Sequence, residues 1–250
     1  MSIWGKIIGG AAGFALGGPL GALLGALAGH AADKYVGGEV PALEGPDGED
    51  RAGTRQIAFT IAVIALGAKM AKADGQVDRS EIAAFKEVFQ VPASETANVA
   101  RVFDLAKRDA RGFEPYAQQI SRMFRRGHPV LEELLDGLFH IARADGKVHD
   151  SEIAYLAEVA RLFGFSEADF ARIREGNLGL DKGDPYTVLG VTRDMSNDEI
   201  RTAWRSLARD NHPDRLIAQG LPEEFIALAN QKLATINAAY DKVAKERGIN

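Results

Sequence analysis

The chain contains no cysteine among its 250 residues. This absence excludes disulfide bonds, thiolate metal sites and cysteine nucleophiles. An excess of positive charge is also absent, because 30 Lys and Arg residues stand against 35 Asp and Glu residues, and the formal net charge is −5. A chain of this composition lacks the basic footprint of a nucleic-acid-binding protein. Alternating runs that would indicate β-strands are missing between Thr54 and about Asn177, and the helical periodicity of the apolar residues predicts an all-α fold.

The N-terminal region is apolar and rich in glycine. Residues 7–32 carry no formal charge, and such a run is long enough to span a bilayer as a transmembrane helix. Glycine recurs at every fourth residue of 5–29, as in a glycine zipper that brings two membrane helices together. We therefore predict residues 1–36 as a membrane anchor and Gly13, Gly17 and Gly21 as the contacts of a homodimer. Pro19 leaves a re-entrant hairpin open as an alternative, and residues 37–53 are predicted as a flexible acidic linker.

Two amphipathic helices are predicted near the C-terminus. Ser196 and Glu199 have the spacing of a capping box, so the first helix should begin at Asn197. It should end before Pro213, because proline disfavours helical geometry at the residue before it. The second helix should begin after Pro222. The two predicted apolar faces form an antiparallel pair and contain Ile200, Ala203, Trp204, Leu207 and Ala208 in the first helix and Phe225, Leu228, Ala229, Leu233, Ile236, Tyr240 and Val243 in the second.

The break between these helices contains His212, Pro213 and Asp214. Proline makes such a turn rigid, which lowers the entropy lost when a partner binds. His212 and Asp214 supply polar groups that a buried turn would not need. The tripeptide therefore indicates a recognition loop.

A stripe of arginines precedes this loop. Arg201, Arg205 and Arg209 recur at every fourth residue of the first helix, so they share one face. Such a face attracts an acidic partner over a long range and speeds encounter more than it tightens binding.

The segment from Asp184 to about Lys245 resembles a J domain, the module by which a co-chaperone engages a DnaK-type ATPase. The resemblance rests on residues 186–191, a basic helix, His-Pro-Asp and residues 236–240, in this order. Residues 215–222 are similar to the corresponding loop of DjlA-type, membrane-anchored J proteins. The resemblance implies that DnaK binds the tripeptide and the arginine stripe, and that residues 184–250 form the J domain. Asn211 stands where the family commonly has an aromatic residue or histidine, and we expect it to tune the loop.

Residues 54–178 are predicted as a helical domain with an internal repeat, because residues 72–82 are similar to residues 143–153. Asp74 and Glu81 in the first copy correspond to Asp145 and Glu152 in the second. These carboxylates have the chemistry to bind a hard cation such as calcium or magnesium. The alternative is plain helix capping, with Asp150 as the N-cap in the second copy and the glutamate in the first turn.

The Ala-Asp-Gly core of this repeat resembles the TerB family of tellurite-resistance-type domains. That resemblance implies a small helical bundle with acidic sites proposed to bind metal and a sensing or client-recruiting role. Residues 4–9 are similar to the start of the DjlA-type anchor. They imply a single span of the bacterial inner membrane, with a short periplasmic N-terminus and the remaining domains in the cytoplasm.

We therefore predict a membrane-anchored co-chaperone with client proteins and a DnaK-type chaperone as partners. It is not expected to be an enzyme, because neither a nucleophile–base pair nor a phosphate-binding glycine loop is apparent in the sequence. The alternative function is a metal-responsive membrane scaffold and stress sensor, whose J domain serves only as a docking surface.

Overall fold

A computed structural model of the chain describes residues 18–21, 51–73, 83, 96–108, 112–144, 146–178 and 183–249. These residues contain helices and no strand, which confirms the predicted all-α class. The α-helices in the described ranges are α1 (Arg51–Ala73), α2 (Thr96–Arg108), α3 (Glu114–Met123), α4 (Pro129–Ala142), α5 (Asp150–Phe163), α6 (Glu167–Asn177), α7 (Pro185–Leu189), α8 (Asn197–Asp210), α9 (Pro213–Ala218) and α10 (Ile226–Arg247). A 3-10 turn, Glu223–Phe225, precedes α10.

Helix α1 is the centre of the middle domain. Every residue from 57 to 71 is buried, as expected of a helix that is apolar on all sides. It packs against α2, α3, α4 and α5. The hydroxyl of Tyr155 donates to the carbonyl oxygen of Leu66 at 2.8 Å and ties α5 to α1. Helix α1 begins at Arg51, so it includes residues 51–53 from the end of the predicted linker.

The N-cap of α5 is one residue earlier than the aspartate cap that the repeat suggested. His149 is the N-cap, and its N–H donates to Glu152 Oε2 at 2.8 Å. A capping box joins residues three apart, so Glu152 fixes the cap at His149 and leaves Asp150 as the first helical residue. The helix ends at Phe163, and Gly164 follows as its C-cap, where the φ of 89° favours glycine.

The predicted capping box of α8 is confirmed. Ser196 Oγ accepts from the N–H of Glu199 at 3.3 Å, and Glu199 Oε2 accepts from the N–H of Ser196 at 2.7 Å. The helix begins at Asn197, as predicted. The two orphan amides at this end of α8 are thus satisfied by local side chains.

Helices α8 and α10 pack as the predicted antiparallel pair. The rings of Trp204 and Tyr240 stack with centroids 4.1 Å apart, and Trp204 Nε1 donates to Asn237 Oδ1 at 3.0 Å. At the far end, Arg247 Nη1 donates to the carbonyl oxygen of Met195 at 2.7 Å. The core of this C-terminal unit consists of Tyr186, Val188, Leu189, Val191, Ile200, Ile236, Ala239 and Val243.

The segment after the break differs from the prediction in one respect. Helix α8 ends at Asp210, before Pro213 as expected, but Pro213 also begins the short helix α9. Proline suits the first helical position because its missing N–H would have no intrahelical partner there. His212 is the N-cap of this helix.

Candidate functional site

The His-Pro-Asp turn presents its two polar side chains to solvent. The side chains of His212 and Asp214 are 52% and 89% exposed, whereas Pro213 is buried. His212 Nδ1 accepts from the N–H of Asp214 at 3.3 Å. This bond orients the imidazole and leaves its Nε2 edge for a partner. The buried proline thus holds two exposed recognition groups in a fixed turn.

Asn211 lies beneath the turn and is only 2% exposed. Its Nδ2 donates to the carbonyl oxygen of Leu207 at 2.8 Å, while its Oδ1 has no hydrogen-bond partner within the described part of the chain. Asn211 therefore supports the turn from below and does not face a partner.

The arginine stripe lies on the solvent side of α8. Arg205 and Arg209 are exposed, and Arg201 is half-buried and pairs with Asp198 Oδ1 at 3.0 Å. Arg209 Nη2 donates to Ser206 Oγ at 3.2 Å. Exposed contacts of this kind contribute little stability and exchange partners readily.

Arg215 extends the basic face past the turn, which sequence reasoning missed. Its Nη1 lies 2.6 Å from Asp210 Oδ1, and Arg209 Nε lies 3.6 Å from the same oxygen. Asp210 therefore links the basic face on both sides of His-Pro-Asp. The available signal was the position of Arg215 directly after the tripeptide.

The acidic repeat is described in part. Asp74, Glu81 and Asp145 lie outside the described residues. Glu152 is described; it is buried, and its carboxylate accepts from the N–H of His149 in the α5 cap. In the ranges that the structure covers, no group of three or more His, Cys, Asp or Glu side chains is arranged to hold a metal ion. Cation binding by the repeat stays a prediction.

The predicted membrane anchor also lies mainly outside the described residues, as do Gly13 and Gly17. Gly21 belongs to the helical turn at 18–21 and is buried. The N–H of the neighbouring Leu20 donates to Gln119 Oε1 at 2.9 Å. Among the helices that are described, none is both long enough and apolar enough to cross a membrane. Homodimerisation through the glycines stays a prediction.

A buried set of charged residues lies between the middle domain and the C-terminal unit, and the sequence did not predict it. We call this set the interdomain charge cluster; its members are Glu132, Glu133 and Asp136 of α4, Arg172 of α6 and Lys232 of α10. The acids in the otherwise apolar helix α4 were the available signal, because carboxylates that face a core need a cation.

Lys232 is the centre of the interdomain charge cluster. Its Nζ lies 2.7 Å from Glu132 Oε1, 3.1 Å from Glu133 Oε1 and 2.8 Å from Asp136 Oδ2. These are ion-pair distances without well-directed hydrogen bonds. Arg172 forms a bidentate pair with Glu132 at 2.8 and 2.6 Å.

The proton balance of the cluster follows from its charges. Burial raises the pKa of Glu133 to about 7, although Lys232 acts to lower it. Burial would also raise the pKa of Glu132, but Arg172 and Lys232 hold that pKa far below its usual value. Two cations thus face three carboxylates, and a proton on Glu133 leaves the buried set neutral.

Comparison with known families agrees with this geometry. The family model of the Co-chaperone DjlA transmembrane domain matches residues 1–56, that of Tellurite resistance protein TerB matches residues 60–175, and that of the DnaJ domain matches residues 184–247. Together, these matches define a membrane-anchored J-domain co-chaperone.

Three relatives, each a Co-chaperone protein DjlA, are similar over the whole chain. The protein of Photobacterium profundum is 33% identical over 280 residues, which cover 99% of this chain and 100% of the relative. The proteins of Shewanella oneidensis and Vibrio cholerae serotype O1 are each 33% identical over 100% of both chains. The chain belongs to the DjlA co-chaperone family. No solved structure gives a significant match.

Proposed function

We propose that this co-chaperone stimulates the ATPase of a DnaK-type chaperone through its J domain. The observation that carries the proposal is the pair of exposed polar side chains, His212 and Asp214, on either side of the buried Pro213. They follow directly on an exposed basic helix, so an acidic chaperone surface meets long-range attraction and a rigid recognition turn in one place. The hydrolysis itself takes place on the partner.

The TerB-like domain is proposed to sense a signal or to recruit clients for the chaperone. Its position between the anchor and the J domain supports this role, because anything bound there is held near the chaperone at a high effective concentration. The J domain and the TerB-like domain would face the cytoplasm of a bacterium from its inner membrane, with the short N-terminus in the periplasm.

The test is the ATPase rate of a DnaK-type chaperone with the full chain in lipid nanodiscs. The wild-type chain should raise the rate, and His212→Gln should abolish the increase because the substitution removes the recognition group from an exposed turn. Circular dichroism should show unchanged helicity. The control is Arg161→Gln, at an exposed arginine outside the J domain, which should stimulate normally.

Stimulation by His212→Gln at the wild-type level would refute the mechanism. Chaperone binding by the wild-type chain without any stimulation would favour the scaffold alternative, in which the J domain is only a docking surface.

A further inference from the structure

The segment that follows His-Pro-Asp leaves the core of the J domain. Leu216 of α9, Leu221 and Phe225 are all fully buried. They do not belong to the core between α8 and α10 but to the large core formed around α1 of the TerB-like domain. The chain therefore enters the neighbouring domain directly after the recognition turn.

Phe225 occupies a socket on the TerB-like domain. Its ring meets that of Phe59 of α1 edge to face, with centroids 4.8 Å apart and an interplanar angle of 85°. Gly137 of α4 forms the other wall, because a Cβ at this position would lie 3.0 Å from Phe225 Cε1. A side chain at residue 137 would therefore force the Phe225 ring to shift by a few tenths of an ångström.

The turn before Phe225 is also fitted to the TerB-like domain. Gly220 has a φ of 108°, and a Cβ there would lie 3.2 Å from Arg55 Cβ and 3.5 Å from Phe124 Cε1. Gln56 Nε2 donates to the carbonyl oxygen of Leu221 at 3.4 Å. The backbone conformation at this position therefore favours glycine, and the two domains approach each other closely there.

The interdomain charge cluster fixes the register of this contact. Lys232 lies about two helical turns beyond Phe225, and its Nζ reaches all three carboxylates of α4. A buried ion pair adds little net stability compared with apolar packing, but a misplaced one leaves charges unpaired. The cluster therefore favours one position of α10 on α4 over its neighbours.

The recognition turn is thus held from two sides. Helix α8 belongs to the J-domain core, whereas Leu216 of α9 belongs to the core of the TerB-like domain. The N–H of Leu216 donates to the carbonyl oxygen of His212 at 3.0 Å, which connects the anchored helix to the turn itself.

We propose that the TerB-like domain orients the His-Pro-Asp turn for the chaperone, with Phe225, Leu216 and Lys232 as positioning residues. This inference rests on the proposed function and gives the TerB-like domain a direct part in it. A turn that is fixed before binding loses less conformational entropy when the chaperone docks. Loss of this fixed position should therefore weaken chaperone binding, while the maximal ATPase rate is retained.

The test uses full chains in lipid nanodiscs and the substitution Gly137→Ala, which lies outside the J domain. The new Cβ shifts the Phe225 ring by a few tenths of an ångström, and alanine favours helix α4 itself. The matched control is Gly67→Ala in α1, where a Cβ would meet Ile141 Cδ1 at an ordinary 3.6 Å. The compensating variant adds Phe225→Leu to Gly137→Ala, so that a smaller side chain faces the new Cβ.

The chain concentration for half-maximal ATPase stimulation should rise about three- to tenfold in Gly137→Ala, the effect of ordering one or two more side chains on docking. The plateau should not change, and Gly67→Ala should match the wild type. The compensating variant should recover most of the loss. Hydrogen exchange of the amides from 216 to 221 should be faster in Gly137→Ala alone.

Two results would overturn the inference in different ways. A half-maximal concentration that is unchanged in Gly137→Ala, with normal stimulation by the wild type, would refute the positioning role and leave the proposed function intact. A wild-type chain that does not stimulate the ATPase at all would refute the proposed function and the positioning role together.

Discussion

The arginine stripe of α8 and the interdomain charge cluster both place cations beside carboxylates, but in opposite surroundings. Arg201 meets Asp198 at 3.0 Å where the aspartate is 91% exposed. Lys232 meets its carboxylates at similar distances inside the protein. Water and salt screen the first contact and hardly reach the second. The exposed charges are therefore suited to attracting a partner, and the buried ones to holding two domains in register.

The largest expected effect comes from removing the buried cation. Lys232→Ala removes the cation that pairs with all three carboxylates of α4, and breaking a buried pair in this way costs about 3–5 kcal/mol. For a chain of this size the melting temperature should fall by roughly 10 °C, as measured by calorimetry at neutral pH. Lys245→Ala, at an exposed lysine of the same helix, is the control and should have almost no effect. Equal shifts in both variants would contradict the distinction between buried and exposed charges.

The second effect is a pH dependence that the buried cluster provides. Glu133 has a pKa of about 7 in the folded chain against 4.5 when unfolded. Its stabilising contribution is complete below pH 4.5, where both states hold the proton. It is lost as the pH rises to 7, because the unfolded state releases the proton first, and the loss amounts to about 3 kcal/mol.

Melting temperatures measured between pH 5 and 8 test this dependence of stability on pH. The wild type should lose stability relative to Glu133→Gln as the pH rises, because glutamine cannot ionise. Besides burial, the charges of Lys232, Asp136 and Glu132 set the pKa of Glu133. They are common to both chains, so the difference isolates Glu133. If the melting temperatures of the wild type and of Glu133→Gln change in parallel with pH, Glu133 does not bind a proton in this range.

The third effect belongs to the exposed stripe and should depend on salt. Arg201→Glu combined with Arg205→Glu should slow association with a DnaK-type chaperone about tenfold at low salt, because steering of the encounter is lost. The ratio of the wild-type association rate to that of the variant should approach one at about 0.5 M salt, where screening shortens the range of electrostatic attraction. Stopped-flow binding measures both. Arg161→Glu, at an exposed arginine of α5, is the control, and a ratio that ignores salt would argue against steering.

The smallest effect concerns Glu152, a buried carboxylate that accepts a hydrogen bond from a backbone amide. As a capping residue, its replacement by glutamine should lower stability by about 1 kcal/mol, equally with and without added calcium or magnesium. Calorimetry with each cation measures this difference. A cation-dependent gain in the wild type that disappears in Glu152→Gln would establish the metal site that the acidic repeat suggests.

Local features of the fold could be predicted from the sequence. The capping box at Ser196 and the apolar face of α8 depend on neighbours in the chain, and both are confirmed. The face predicted for the second helix is confirmed only in its later part, because Ile236, Tyr240 and Val243 pack in the J-domain core, whereas Phe225, Leu228 and Ala229 pack in the core of the TerB-like domain. The exposure of His212 and Asp214 followed from their chemistry beside a proline.

Features that depend on contacts distant in sequence could not be predicted. Lys232 lies one turn from both Leu228 and Ile236 of α10, but only the position of α4 shows which carboxylates it meets. Leu216 of α9 and Leu221 after it have no distinctive sequence around them, and nothing nearby in the chain indicates that they belong to another domain. The new helix at Pro213 escaped prediction because proline is common both where a helix stops and where one starts.

The burial of Leu216, Leu221 and Phe225 in the TerB-like domain affects whether this J domain can be transferred to another protein. Cutting the chain at residue 183 would expose these three side chains as one apolar patch, which favours aggregation. A chimera that receives only residues 184–250 would lack the matching domain contact directly after its recognition turn. Weak chaperone stimulation by such a chimera would then reflect the lost contact and not a defect of the turn. The transferable unit is the J domain together with the surface of α1 and α4 on which it rests.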